Sequence, residues 1–206
     1  MPISAIIITT LVCYFLGNHN GAICVSHMLG DDVREHGSGN AGLTNFIRNY
    51  GASRSVLVIL IDVLKAVFAC WLGAEMFASH GNPLEGKVLA GVAVMVGHDF
   101  PALLGFRGGK GVSTGAMLAL MVDWRIFLIL VATFFLVFAL CRIVSASSIT
   151  VAAMFPIAAW LLQAPRPEFV MALLGGLLVI FQHRANIVRL VKKQEKQVDL
   201  FKLGKK

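Results

Sequence analysis

The stretch Val56-Leu57-Val58-Ile59-Leu60-Ile61-Asp62-Val63-Leu64-Lys65-Ala66-Val67-Phe68-Ala69-Cys70 decides the class of fold. Two charges, Asp62 and Lys65, interrupt its middle, and the apolar segment to which it belongs extends over residues 54–79. At about 1.5 Å rise per residue such a run crosses a hydrocarbon core of roughly 30 Å as a helix. Asp62 and Lys65 lie three residues apart, hence on one helical face and within reach of each other. A charge at the middle of a bilayer costs roughly 2.5–3.5 kcal/mol on insertion scales, so such residues persist with a partner or a functional role. The preferred reading is a structural ion pair that orders the first loop; a direct substrate contact is the alternative.

Reading outward, six further apolar segments fall at residues 3–28, 86–105, 111–122, 125–144, 147–163 and 168–184. Of the 206 residues 57% are apolar and 14% charged, against about 25% charged in soluble domains. The expected fold is an all-α integral membrane protein, a bundle of about seven transmembrane helices forming one domain over residues 1–206. The first segment is interrupted by Gly17-Asn18-His19-Asn20-Gly21, a polar break tolerated only against protein or a wet cavity. The segment at 111–122 is too short to span unaided, so it is tilted, re-entrant or extended by its neighbours. No Lys or Arg precedes Arg34, which argues against a cleaved leader. Cys13, Cys24, Cys70 and Cys141 lie in or at the ends of apolar segments without CxxC spacing, so neither disulfides nor a metal site is expected.

Basic residues orient the bundle. Arg34, Arg48, Arg54, Arg107, Lys110, Arg142 and the eight in the tail from Arg184 to Lys206 make 14 of 18 on one side, which is read as cytoplasmic. Lys87, Arg125 and Arg166 fall on the other side, and seven spans then place the N-terminus outside and the C-terminus inside. The tail at 184–206 reads as a topology determinant and a partner for anionic headgroups. The net charge of +7 is concentrated there, and nucleic-acid binding has little support.

Two polar runs stand out on the basic side. Gly37-Ser38-Gly39-Asn40-Ala41-Gly42-Leu43-Thr44-Asn45-Phe46-Ile47-Arg48 combines glycines, short polar side chains and a guanidinium, the chemistry that holds phosphate. Phe106-Arg107-Gly108-Gly109-Lys110-Gly111-Val112-Ser113-Thr114 has the same character. It lacks the GxxxxGK[ST] spacing and preceding strand of a nucleotide-hydrolysing P-loop. Together they suggest a substrate with more than one phosphate, or two phosphorylated substrates. His98, in Gly97-His98-Asp99-Phe100-Pro101, is a general base, an oriented donor to phosphate or a packed interior histidine. Ser145 and Ser148 share a helical face after Arg142 and read as N-caps or as site residues. His183, Asn186 and Arg189 form a polar edge where the seventh segment continues into the tail. His27 and Asp32 have H-x4-D spacing but flank a membrane boundary, and the match is read as chance.

In order, these blocks resemble the bacterial acyl-phosphate-dependent glycerol-3-phosphate acyltransferase family, the PlsY type. The resemblance spans nearly the whole chain: Leu16-Gly17, Asp32-Val33-Arg34, the run from Gly37 to Arg48, Gly51, Asp62 with Lys65, residues 97–101, residues 106–114, residues 144–149 and His183 to Leu190 with Glu195. Departures are Ala41 for a usual proline, Leu43 for alanine, Ala66 for glycine, Lys193 for glycine, and an unusually polar Asn18-His19-Asn20. The resemblance implies acyl transfer from acyl phosphate to the 1-hydroxyl of glycerol 3-phosphate, giving lysophosphatidic acid and inorganic phosphate without a cofactor or metal. It further implies a multi-pass protein of the bacterial inner membrane with its site near the cytoplasmic face. Membrane lipid and the enzyme that makes acyl phosphate are the implied partners besides the substrates. On that reading Lys110, Ser145 and His183 are catalytic. Ser38, Gly39, Asn40, Thr44, Asn45, Arg48, His98, Gly108, Gly109, Gly111, Ser148 and Asn186 bind substrate or phosphate. The general base is His183 or a substrate phosphate. The rival class is a membrane transporter of a phosphorylated small anion, which needs a polar path to the outer face, whereas these motifs gather on the inner side.

Overall fold

The computed structural model of the chain describes residues 2–198, so Lys202, Lys205 and Lys206 of the basic tail lie outside the described residues. Each apolar segment is helical. The first is broken: α1 (Ile3–Gly17) and α2 (Gly21–Met28) meet at 45°. Asn20 is the reason the chain restarts there, because its side chain accepts from Ile23 N and caps α2. A short amphipathic helix α3 (Leu43–Tyr50) follows the first glycine-rich run and buries Phe46 beneath it. Residues 43–48, read from sequence as part of a phosphate loop, are therefore the first turns of a helix.

Then come α4 (Ala52–Ala78), α5 (Pro83–Asp99), α6 (Val112–Val122), α7 (Trp124–Cys141), α8 (Val144–Leu161) and α9 (Arg166–Gln182). Four of these, α4, α5 with the turn after it, α7 and α8, are long and apolar enough to cross a membrane, and the count reaches six if each bent pair is one span. The second bent pair is α9 with α10 (Arg184–Val191), which turns 60° at His183. The polar edge is therefore not a straight prolongation of the seventh segment, as the sequence suggests. The backbone leaves helical geometry at His183, and α10 lies across the end of the bundle.

Small side chains set the close packing. Cys13, Ala69, Ala90, Ala93 and Val94 form a seam between α1, α4 and α5, where backbones approach without bulky groups between them. A second cluster, with Met95, Leu118, Met171 and Val179, packs α6 between α5 and α9. The 11 residues of α6 rise only about 16 Å, and its last turn meets the first turns of α5 and α9. There Lys87 donates to Met121 O and pairs with the buried Glu168 of α9. Lys87 thereby gives one of the last carbonyls of α6 a hydrogen-bond donor.

Candidate active site

Alternating helix directions bring the ends of α5, α6, α8 and α9 to one end of the bundle, together with α3 and α10. They enclose a cavity of about 450 Å³. Ser38, Asn40, Thr44, Asn45 and Arg48 line it from the first run, and Lys110, Gly111, Val112 and Ser113 from the second. Ser145 and Ser148 enter from α8, His183, Asn186 and Arg189 from the α9–α10 bend, and Phe134 from α7. His98 and Asp62 form its floor.

The side chains divide into those that build the wall and those that face inward. Asn45 is wall: its amide donates to Val33 O, His36 O and Asn40 O, and its oxygen accepts from Ser38 N. That saturates both ends of the side chain, so Asn45 shapes the loop that presents Ser38 and has nothing left for a phosphate. Gly39 donates its N–H to His36 O and Gly109 donates to His98 O, so neither has a free backbone donor. Gly39, Gly108 and Gly109 are also outside the cavity lining. The role of Gly109 is close approach, since a Cβ there would collide with the ring of His98. Gly111, with φ +68, is the uncapped start of α6. The first bond of that helix runs from Gly115 N to Gly111 O, which leaves the N–H groups just before it directed at the cavity, a ready anion site.

The serines of α8 are not caps. Ile143 is the N-cap; Ser148 donates to Val144 O and Ser145 to Glu195 Oε1 (2.9 Å). Glu195 comes from the segment that follows α10, and its carboxylate also receives Asn186 Nδ2 (2.6 Å) and Arg189 Nε (2.6 Å). Lys110 donates in turn to Asn186 Oδ1. In the sequence Glu195 stands only within a family resemblance, and nothing there assigns it this role. The signal is an acid, one of two with Asp199, among the lysines of the tail.

Arg48, Lys110 and Arg189 give the cavity a positive lining. Burial is the main cause that brings the Lys110 ammonium down to about 8, and Arg189 and Arg48 push the same way against Glu195. Such a site gains by taking up an anion. His183 donates from Nδ1 to Val179 O (2.8 Å), which leaves Nε2 as a hydrogen-bond acceptor. The expected Asp62–Lys65 pair forms at 2.7 Å, with both side chains about 5% exposed or less. It orders the break in the first segment, where Gly21 N meets Asp62 and His19 O meets Lys65, and not the loop that follows α2. His98 and Asp99 form no dyad, as their adjacency implies. His27 and Asp32 approach to 3.5 Å at the surface, where Arg34 holds Asp32 more closely.

A family model described as glycerol-3-phosphate acyltransferase matches residues 7–193. The chain belongs to the glycerol-3-phosphate acyltransferase family. A relative of that name from Gloeobacter violaceus is 39% identical over 167 residues, covering 81% of this chain and 82% of its own. One from Clostridioides difficile is 39% identical over 202 residues, covering 96% and 98%. Among solved structures the fold matches PlsY, an integral membrane glycerol 3-phosphate acyltransferase. Its glycerol 3-phosphate form has a TM-score of 0.88 at 29% identity, covering 98% of this chain and 100% of that one. Its lysophosphatidic acid form gives 0.85 at 29% identity, covering 97% and 98%. The chain is thus an integral membrane acyltransferase of phospholipid biosynthesis, as the motif resemblance implied.

Proposed function

We propose that this acyltransferase takes its acyl group from acyl phosphate and delivers it to the 1-hydroxyl of glycerol 3-phosphate at the cytoplasmic face of the bacterial inner membrane. The observation that carries this reading is the single cavity in which Arg48, Lys110 and Arg189 face the uncapped start of α6. It has room for phosphate from both substrates. An apolar cleft lined by Val151, Phe155, Gly175 and Val179 adjoins it at Val112 and Ser148, which gives an acyl chain a path among α6, α7, α8 and α9. At the far end of the same helices Lys87, Glu168 and Met121 are tied together, unlike a wet passage to the other face.

In the reaction the hydroxyl oxygen forms a bond to the acyl carbon, and the bond from that carbon to the phosphate oxygen breaks. The phosphate leaves with the electron pair, and the hydroxyl proton passes to a substrate phosphate. A mixed anhydride has a good leaving group, so positioning and charge stabilisation supply most of the acceleration. Lys110 and the start of α6 take the departing phosphate. Ser38, Thr44 and Arg48 hold the second phosphate. His183 Nε2 accepts from the neighbouring 2-hydroxyl of glycerol 3-phosphate and so orients the attacking 1-hydroxyl, whose own hydrogen stays free to pass to the phosphate. Purified protein in lipid should release inorganic phosphate from palmitoyl phosphate only when glycerol 3-phosphate is present. Transfer from an acyl thioester, with palmitoyl phosphate inert, would refute the assigned donor.

A further inference from the structure

His98 sits where the two glycine-rich runs and the broken first segment meet. Three groups converge on its Nδ1: Lys65 Nζ at 2.8 Å, Asn20 Nδ2 at 3.4 Å and Asp62 Oδ1 at 3.5 Å. Lys65 carries only donors. Its other bonds go to Asp62 Oδ1 (2.7 Å) and His19 O (2.9 Å), so its three hydrogens are accounted for. Asp62 Oδ1 already accepts from Lys65 and from Gly21 N. Nδ1 is therefore the acceptor of the ring, and the ring hydrogen belongs on Nε2.

That Nε2 has no acceptor among the described residues. The residue is 3% exposed, and what little surface it has belongs to the cavity whose floor it forms. Nε2 packs on Gly109, one residue before Lys110, and the backbone carbonyl of His98 holds Gly109 N at 3.1 Å. Asn20 extends the same network to the other run. Its oxygen caps α2 at Ile23 N, and its amide donates to Ala41 O at 3.0 Å. A histidine used only for packing has no need of an elaborate set of donors around one nitrogen while the other is left unpartnered beside a cavity.

We propose that His98 Nε2–H donates to the phosphate of the acyl donor, and that Asp62, Lys65 and Asn20 are positioning residues that hold the ring in that tautomer. The proposal rests on the reaction given above and adds a fixed uncharged donor to the cations that meet the leaving phosphate. It also accounts for the polar Asn18-His19-Asn20 break, because Asn20 ties the first glycine-rich run to the residue that supports the second.

The test combines kinetics with nitrogen-15 NMR of histidine-labelled protein in nanodiscs, with His98→Gln used to assign the His98 signals. The expected spectrum has hydrogen on Nε2 and none on Nδ1. His98→Phe, which keeps an aromatic ring but has neither the Nε2 donor nor the Nδ1 acceptor of Lys65, should lose about 10- to 100-fold in kcat/KM for palmitoyl phosphate, as for a hydrogen bond to a charged group. Its KM for glycerol 3-phosphate should stay within about threefold, and His98→Gln should recover much of the loss. The double change Asp62→Asn with Lys65→Met leaves no lone charge in the membrane and should scramble the tautomer while lowering the same kcat/KM. If that pair fails to fold, Asn20→Ser, which keeps a capping oxygen but lacks the amide, should lower it without moving the melting temperature by more than a few degrees. Hydrogen on Nδ1, full activity of His98→Phe, or equal losses in the Phe and Gln variants would overturn the proposal. Wild-type protein inert toward palmitoyl phosphate would sink the assigned donor instead, and the spectrum would still report the tautomer.

Discussion

Lys110 and Asn186, 76 residues apart, are joined by a hydrogen bond from the ammonium to the side-chain oxygen of Asn186. The amide of Asn186 donates onward to Glu195, which Ser145 and Arg189 also hold. Asn186 thus orients the cation of the second glycine-rich run through its oxygen and anchors the end of the chain through its nitrogen. An asparagine can serve both because it has an acceptor and donors on one planar group.

Removing the cation should be costly. Lys110→Ala should lower kcat by about 100-fold or more, the scale of losing one stabiliser of developing charge. Lys110→Arg should rescue poorly, because a planar fork does not replace a compact ammonium where Asn186 meets it end-on. Steady-state rates with palmitoyl phosphate decide this, and near-normal turnover of the alanine variant would remove Lys110 from the chemistry.

The same lysine predicts a pH limb. Its ordinary value of 10.5 is brought down to about 8, first by burial and then by Arg189 and Arg48. A lysine is charged below its pKa, so the positive charge is complete on the acid side and lost as pH rises through about 8. In the wild type kcat/KM for acyl phosphate should fall above that pH. Lys110→Arg, though slower, should show no such fall because its guanidinium stays charged. Profiles from about pH 6 to about 9.5, which bracket that value, check it, and an identical alkaline limb in both proteins would assign the ionisation to another group.

His183 is expected to orient rather than to take the proton. Its Nδ1 hydrogen is committed to Val179 O, so Nε2 faces the acceptor as a hydrogen-bond acceptor, where the 2-hydroxyl of glycerol 3-phosphate donates to it while the reacting hydrogen goes to a phosphate. His183→Gln should raise the KM for glycerol 3-phosphate about tenfold, the scale of one hydrogen bond, and leave the shape of the pH profile unchanged. A general base would behave differently: the substitution would abolish whatever acid limb the wild type shows and spare acceptor affinity.

Much of this is legible in the chain itself. The apolar segments, the break at residues 17–21 and the Asp62–Lys65 pair follow from length and from the cost of charge in a bilayer. The polar runs announce phosphate chemistry by composition. The division of labour inside them is hidden, because composition does not say which donors are already spent. Asn45 and Gly109 look like phosphate ligands in sequence and are consumed by the fold, on Val33, His36, Asn40 and His98. Asn20 and Glu195 look incidental there, since their partners Ala41 and Ser145 lie 21 and 50 residues away. Contacts of that span are set by tertiary packing, which local periodicity does not encode.

Topology gives a further expectation. The cavity end should face the cytoplasm, as the basic residues imply. In a chain stripped of Cys13, Cys24, Cys70 and Cys141, a cysteine at the exposed Ser53 should resist an impermeant thiol reagent added to intact cells. A cysteine at the exposed Ser79, at the other end of α4, should react. The reverse pattern would invert the bundle.

Lys193 gives the last prediction. It stands at φ +55, in the left-handed region, directly after α10. Gln194 N bonds to Arg189 O and Lys193 N to Leu190 O, the paired bonds of a helix end that normally places glycine at this position. The left-handed conformation costs a side chain about 1–2 kcal/mol, part of which glycine gives back through its greater freedom in the unfolded chain. Lys193→Gly should therefore stabilise by about 0.5–1 kcal/mol, or roughly 1–4 °C in melting temperature for a chain of this size. It should also hold Glu195 more firmly, because the turn lies between Arg189 and its carboxylate partner. Lys193→Ala keeps the strained backbone and loses the same charge, so it should show no such gain. Thermal unfolding of both variants in detergent separates the two causes. Equal shifts for glycine and alanine would mean that the charge of Lys193, and not its backbone conformation, sets the stability of this turn.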